Sequence, residues 1–171
     1  MKFAQNIQKK EIKAIFDKLT NEQKIIVRLA AFLHDIGKGR TQDHHIVGEK
    51  LLKSMLKSFY FNDETIRIAA ELVRYHNMMS YVANHEDIYS EKAILNFTGL
   101  IETKESLDML YIITYCDISA VGENIFNSST SSLLKQLYTQ SIPAFENQEL
   151  LTESKRRIAK QNAIKNLERY K

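Results

Sequence analysis

Leu29-Ala30-Ala31-Phe32-Leu33-His34-Asp35-Ile36-Gly37-Lys38-Gly39-Arg40 is the stretch that decides the fold. It closes a run from Glu22 in which Ile25, Ile26, Val27, Leu29, Ala30, Ala31, Phe32 and Leu33 leave a helix apolar almost all the way round. Such a helix belongs in an interior. The pattern predicts one over residues 22–37, stopped by the turn Gly37-Lys38-Gly39-Arg40. Its last turn nevertheless carries His34-Asp35. A carboxylate drawn into an interior costs several kcal/mol unless a cation or several donors meet it, so Asp35 requires a partner, and a metal ion would serve.

Helical patterns continue on both sides. Phe3, Ile7, Ile12, Ile15, Phe16 and Leu19 among lysines predict an amphipathic helix over 2–18, ending before Thr20 and Asn21. Asp43 caps a third helix with Val47, Leu51 and Met55 as its core row and Leu52 and Leu56 beside it. Asp63 caps a fourth, which keeps Ile66, Ala69, Ala70, Val73 and His76 on one face and ends near Tyr81. Ser90 opens a short fifth helix closed by Gly99, and Lys104–Val121 forms a long sixth helix ended by Gly122. The stripe of that helix is Leu107, Leu110, Ile113, Asp117 and Ala120. Ser128–Thr139 makes a seventh around Leu133, Leu134 and Leu137. Pro143 breaks the path, and a charged helix over 148–170 follows with Leu150, Leu151, Ile158, Ile164 and Leu167 inward.

With five glycines, one proline and little strand-type alternation, the chain reads as all-α, an orthogonal bundle of about seven or eight helices. Its 171 residues, 44% hydrophobic and 26% charged, suit one domain over 1–143 with a terminal helix over 144–171 that packs on it or leaves it. The net charge of +3 comes partly from Lys155, Arg156, Arg157, Lys160, Lys165, Arg169 and Lys171, a mild bias that does not call for nucleic acid. The single Cys116 excludes an internal disulfide and reads as a buried, inert thiol. No signal peptide or membrane span stands out, so a soluble cytoplasmic protein is expected.

Three features put polar groups where hydrocarbon is expected: His34-Asp35, His76 on its apolar row, and Asp117 on the stripe of the sixth helix. Each has an ordinary explanation alone. An adjacent His-Asp pair is not rare, His76 can bond a carbonyl, and Asp117 can cap a neighbouring helix. Together, imidazoles and carboxylates converging from three helices describe a mixed nitrogen and oxygen site suited to Mn, Fe, Co, Zn or Mg. His45 and His85 fall on no inward row and read as surface residues.

The order of these groups resembles the HD phosphohydrolase superfamily. Within it, Leu29 to Arg40 followed by Asp43-His44 resembles the HD segment of bacterial bifunctional PII uridylyltransferase/uridylyl-removing enzymes. So do Leu72-Val73-Arg74-Tyr75-His76 with Met79-Ser80, and Asp117-Ile118 followed by Asn127-Ser128 and Leu133-Leu134. The three stretches lie in family order over roughly residues 25–140, far more specific than the dipeptide alone. Departures fall at Tyr75, Phe126, Ser129 and Thr130.

The resemblance implies an HD-type bundle in which His34, Asp35 and Asp117 hold a divalent metal, with Mn or Mg favoured. His44 and His76 match the further histidines that support a second ion. It implies Asp35 and Lys38 as catalytic residues, with Lys38, Arg40 and Arg74 on the phosphate oxygens. For Lys38 and Arg40 a solvated turn is an equal reading. The implied substrate and partner is uridylylated PII signal protein, which would be released from UMP. The superfamily pattern also has a histidine upstream of the His-Asp pair, and none precedes His34. Either the chain is cut from a longer protein or it has lost a ligand, and the resemblance implies a middle piece of a longer parent with nucleotidyltransferase and ACT domains. Two other readings stay open: an HD phosphohydrolase acting on free nucleotides such as (p)ppGpp, and a non-catalytic HD regulatory module.

Overall fold

The computed structural model describes residues 2–40, 43–121 and 127–147, together with Thr152, Arg157 and Ile158, with side chains from Gln8 onward. Among the described residues there are eight helices and no strand. They are α1 Lys2–Lys18, α2 Asn21–Leu33, α3 His44–Ser58, α4 Asp63–Tyr75, α5 Met78–His85, α6 Glu91–Thr98, α7 Lys104–Val121 and α8 Ser128–Glu146. The all-α bundle read from the sequence is thus the fold.

Reciprocal capping starts α2. The Gln23 N–H donates to Thr20 Oγ1 at 3.2 Å, and the Thr20 N–H donates to Gln23 Oε1 at 2.9 Å, which satisfies donors that a helix start leaves open. The helix ends earlier than its apolar pattern suggests, at Leu33, and residues 34–39 form turns. Gly37 explains the arrangement. A Cβ at this position would lie 2.0 Å from the His44 carbonyl oxygen and 2.7 Å from the Gly48 nitrogen, so only glycine lets the turn reach α3. Gly39, at φ +80°, supplies the left-handed step that redirects the chain.

The interior helix is α7, not α2. From Ser106 to Tyr115 every residue of α7 is buried, because α1, α2, α4, α5 and α8 all pack on it. The neighbours of α2 are chiefly α4 and α7. They bury Ile26, Val27 and Ala30 and leave Ile25 exposed and Phe32 87% exposed.

Other boundaries also move for local reasons. In α3 the buried row is Gly48, Leu52 and Leu56, with Val47, Leu51 and Met55 half-buried. Gly48 faces α4, where an added Cβ would meet Val73 Cγ1 at 3.1 Å. The cap of α4 is Asn62 in place of Asp63, its side chain accepting from the Thr65 N–H at 2.7 Å. α4 then stops at Tyr75, and a separate α5 begins at Met78 where one continuous helix was expected. The Thr114 hydroxyl of α7 donates to the His76 carbonyl at 3.1 Å, which satisfies backbone freed by that break.

Pro143 does not end its helix, which continues to Glu146. Proline removes one amide donor, and the carbonyl four residues back belongs to Thr139; both residues are exposed, so water can meet that carbonyl. In the expected terminal helix, Thr152, Arg157 and Ile158 are helical, and the Arg157 guanidinium donates to Asn96 Oδ1 at 2.7 Å. The readings at Gly122, Phe126, Leu150, Leu151, Ile164 and Leu167 fall outside the described residues.

Candidate metal centre

The site forms where the end of α2, the start of α3, the α4–α5 break and the last turns of α7 meet. His34 is the first residue past α2, and its Nδ1 lies 2.7 Å from the Ala31 carbonyl oxygen. His76 repeats this geometry past α4, with Nδ1 2.7 Å from the Val73 carbonyl oxygen. A carbonyl oxygen can only accept, so both Nδ1 atoms donate and both Nε2 atoms are turned into the site, the orientation in which a backbone carbonyl presents an imidazole to a metal ion.

Those Nε2 atoms face carboxylates. His34 Nε2 is 3.2 Å from Asp35 Oδ2 and 3.4 Å from Asp117 Oδ1, and His76 Nε2 is 3.8 Å from Asp35 Oδ1. Asp35 Oδ2 also accepts from Lys38 Nζ at 2.6 Å. The close approach at Gly37 brings the first turn of α3 alongside, where the Asp43 carboxylate accepts from the His45 N–H at 2.9 Å. His44 and His45 stack with ring centroids 3.7 Å apart, and His45 lies 4.9 Å from the His76 ring. Two groups therefore have ligand atoms within 4.8 Å of one another: His34, Asp35 and His76, and His44, His45 and His76.

Asp35 Oδ1, His44 Nε2 and His45 Nδ1 are buried with no hydrogen-bond partner among the described residues. Buried polar atoms normally find partners, and a buried carboxylate oxygen without one is expensive. One of these atoms belongs to the His34, Asp35 and His76 group and two to the His44, His45 and His76 group, and in each group a divalent cation fits as the partner that is lacking.

Electrostatics are consistent with that fit. Burial opposes ionisation of Asp35, but the Lys38 hydrogen bond and the nearby His34, Lys38 and His76 charges outweigh it and hold its pKa below the ordinary carboxylate value. Burial pulls His76 below the usual imidazole value against the Val73 carbonyl bond, and His45 and His34 pull it further. Burial and the adjacent His44 likewise depress His45. Ionisation of Asp35 is thus favoured, while protonation of His76 and His45 is disfavoured.

Not every expected site residue stands in the same place. Lys38 and Arg40 line a cavity of about 470 Å³ with Gly39, Asp43, His44 and His45. Arg74 lies elsewhere: it pairs with Glu49, sits over the Tyr75 ring at 5.7 Å, and lines a different cavity of about 410 Å³. Asp117 is half-buried, its side chain 31% exposed, because α7 emerges from the bundle over its last turns. The same emergence exposes Cys116, which was expected to be buried; it forms part of a groove with Ile12, Phe16, Ala31 and Tyr115. His85 is exposed as expected, stacked on Tyr81. His45 is the residue that the sequence reading missed. Gly37 and Gly48 signal a close approach that encloses the first turn of α3, and periodicity carries no such information.

Fold and site together define a helical domain with a histidine and aspartate centre able to chelate a metal ion. The chain belongs to the HD domain family, whose model matches residues 3–113. Its curated relatives include bifunctional uridylyltransferase/uridylyl-removing enzymes. That of Rhodospirillum rubrum is 42% identical over 113 residues, 66% of this chain and 12% of the relative. That of Cereibacter sphaeroides is 35% identical over 121 residues, 71% of this chain and 13% of the relative. A third, from a Psychrobacter species, is 37% identical over 120 residues, 70% of this chain and 13% of the relative. The chain therefore spans about 13% of the length of such relatives. No solved structure matches it. Among the described residues no helix is long and apolar enough to cross a membrane.

Proposed function

We propose that this chain is a metal-dependent phosphohydrolase domain that removes UMP from uridylylated PII signal protein in the cytoplasm, as the uridylyl-removing part of a bifunctional enzyme. The observation that carries the proposal is the Asp35 carboxylate, whose buried Oδ1 has no hydrogen-bond partner among the described residues and lies 3.8 Å from His76 Nε2, while its Oδ2 lies 3.2 Å from His34 Nε2. The relatives, as uridylyl-removing enzymes, support a uridylylated substrate. His34, Asp35 and Asp117 would hold one divalent cation, with Mn or Mg as first choice, and His44 and His76 a second. The bound cation supplies Lewis acidity, activating water and offsetting charge on the phosphoryl oxygens.

The chain's own side chains do the remaining work. Asp35 both binds and, through Oδ2, holds Lys38 at the mouth of the site. Lys38 and Arg40, on the cavity beside His44 and His45, are placed to bind non-bridging phosphate oxygens. Arg74 has a weaker claim, because Glu49 already neutralises it. The backbone bonds from His34 and His76 to Ala31 and Val73 fix both rings, so the ligand nitrogens do not have to be reoriented when a cation arrives.

The test is a Mn²⁺ titration followed by hydrolysis of uridylylated PII by this chain, beside a panel of free nucleotides. Release of UMP from PII, lost in Asp35→Asn, is the expected result. Turnover of (p)ppGpp or a deoxynucleotide with no action on PII overturns the substrate. Failure to bind any divalent cation overturns metal-dependent catalysis by this chain.

A further inference from the structure

His44 and His45 are neighbours on one helix, and successive residues on a helix normally point in different directions. Here both rings turn into one cavity, centroids 3.7 Å apart and tilted by 42°. Each has a buried nitrogen with no partner among the described residues, Nε2 of His44 and Nδ1 of His45. The third ring of the group, His76, is buried, with its Nδ1 bonded to the Val73 carbonyl and its Nε2 turned into the site 3.8 Å from Asp35 Oδ1. Buried imidazole nitrogens left without a partner are costly, and a shared cation would remove that cost.

We propose that His45 is a metal ligand, completing with His44 and His76 an all-imidazole pole of the centre that takes zinc or cobalt in preference to manganese or magnesium. This rests on the metal-dependent reading above and adds to it a residue and a metal preference. The physical basis is donor chemistry. Manganese and magnesium favour carboxylate, carbonyl and water oxygens, whereas imidazole suits zinc and related ions. Three protein nitrogens with one open position is also a common zinc arrangement where a substrate must gain access. The Lys38 and Arg40 cavity opens beside this pole, so a phosphate held there would lie next to that open position. The His34, Asp35 and Asp117 pole keeps its oxygen-rich character, so the two poles of one centre differ in the ions they prefer.

The experiment uses the whole chain stripped of metal and titrated separately with Zn²⁺, Co²⁺ and Mn²⁺, by calorimetry and by the visible spectrum of bound Co²⁺. His45→Ala should weaken Zn²⁺ and Co²⁺ binding by about 10–100-fold or more, the scale on which even supporting residues of metal sites act, and should alter the Co²⁺ spectrum. Mn²⁺ affinity should stay near wild type, and His85→Ala should change neither. In wild type carrying nitrogen-15 histidine, the His45 ring resonances should shift on addition of Zn²⁺, a readout that does not depend on a variant folding. Unshifted His45 resonances, or wild-type Zn²⁺ affinity in folded His45→Ala, overturn the assignment of His45 alone. Absence of all divalent binding by wild type overturns the metal-dependent reading itself.

Discussion

Asp35 lies among two imidazoles and an ammonium group, 3.2 Å from His34 Nε2, 3.8 Å from His76 Nε2 and 2.6 Å from Lys38 Nζ. It is the residue through which the site's charge is balanced. Asp117 contributes more from the edge, reaching His34 at 3.4 Å. Asp117→Ala should lower Mn²⁺ affinity by at least about 10–100-fold, measured by calorimetry, since the loss of even an outlying partner of a metal ligand costs that much. Wild-type affinity in this variant would remove Asp117 from the centre. The imidazoles set a pH dependence in metal-free protein. Burial depresses His76 and His45 below the ordinary value of 6.5 in the folded state, so below that pH the unfolded chain takes up more protons than the folded one. Stability is therefore intact above pH 6.5 and falls as pH drops through the folded-state values. Asp35, depressed below 3.8, adds a second loss of the same sign at lower pH. Melting temperature followed from pH 8 to 4 should decline accordingly, and His76→Gln should flatten the upper part of that decline.

At the scale of elements, the contact between the α2–α3 turn and α3 decides whether the histidines meet. Gly37→Ala places a Cβ 2.0 Å from the His44 carbonyl oxygen, which backbone must yield to. A cost of about 1–3 kcal/mol, typical of overpacking, is expected in urea unfolding, together with weakened metal binding because α3 is pushed from His34 and His76. Thr20→Ala offers a contrast at the other end of α2. It removes the acceptor for the Gln23 N–H and should cost about 1 kcal/mol, as lost helix caps do. Its metal affinity should stay at the wild-type level, since the start of α2 supplies no ligand. Equal metal binding in both variants would mean that the Gly37 contact does not position the centre.

For the molecule as a whole, the candidate ligands come from the end of α2, the start of α3, the end of α4 and the last turns of α7, so only the assembled bundle brings them together. A cation that binds this arrangement and not the unfolded chain must stabilise the fold, by about 2.7 kcal/mol at a concentration 100 times its dissociation constant. Adding Zn²⁺ or Mn²⁺ to metal-free protein should raise the melting temperature, and a chelator should reverse the rise. The bundle itself rests on α7, whose Leu110 is fully enclosed. Leu110→Ala should cost about 2–5 kcal/mol, the range for truncating a core leucine, and so lower the melting temperature without metal far more than Thr20→Ala.

Local chemistry was legible in the chain: helical periodicity, scarcity of glycine and proline, and His34-Asp35, His76 and Asp117 standing against apolar patterns gave the all-α class and the residues that the structure gathers near one another. Caps and breaks were only partly legible, since Asn62 and Asp63 are both good caps and proline is tolerated where, as at Pro143, the orphaned carbonyl faces water. Burial was not legible, because an apolar helix is buried only where neighbours cover it. Five helices cover α7, while Phe32 of α2 is left in solvent and Cys116 surfaces where α7 leaves the bundle. The entry of His45 into the centre and the diversion of Arg74 to Glu49 were likewise decided by tertiary structure. Sequence determined which histidines, carboxylates and basic groups this protein carries. Which of them can act together was fixed by packing, through two glycines that let one helix approach another closely enough for imidazoles to share a cavity.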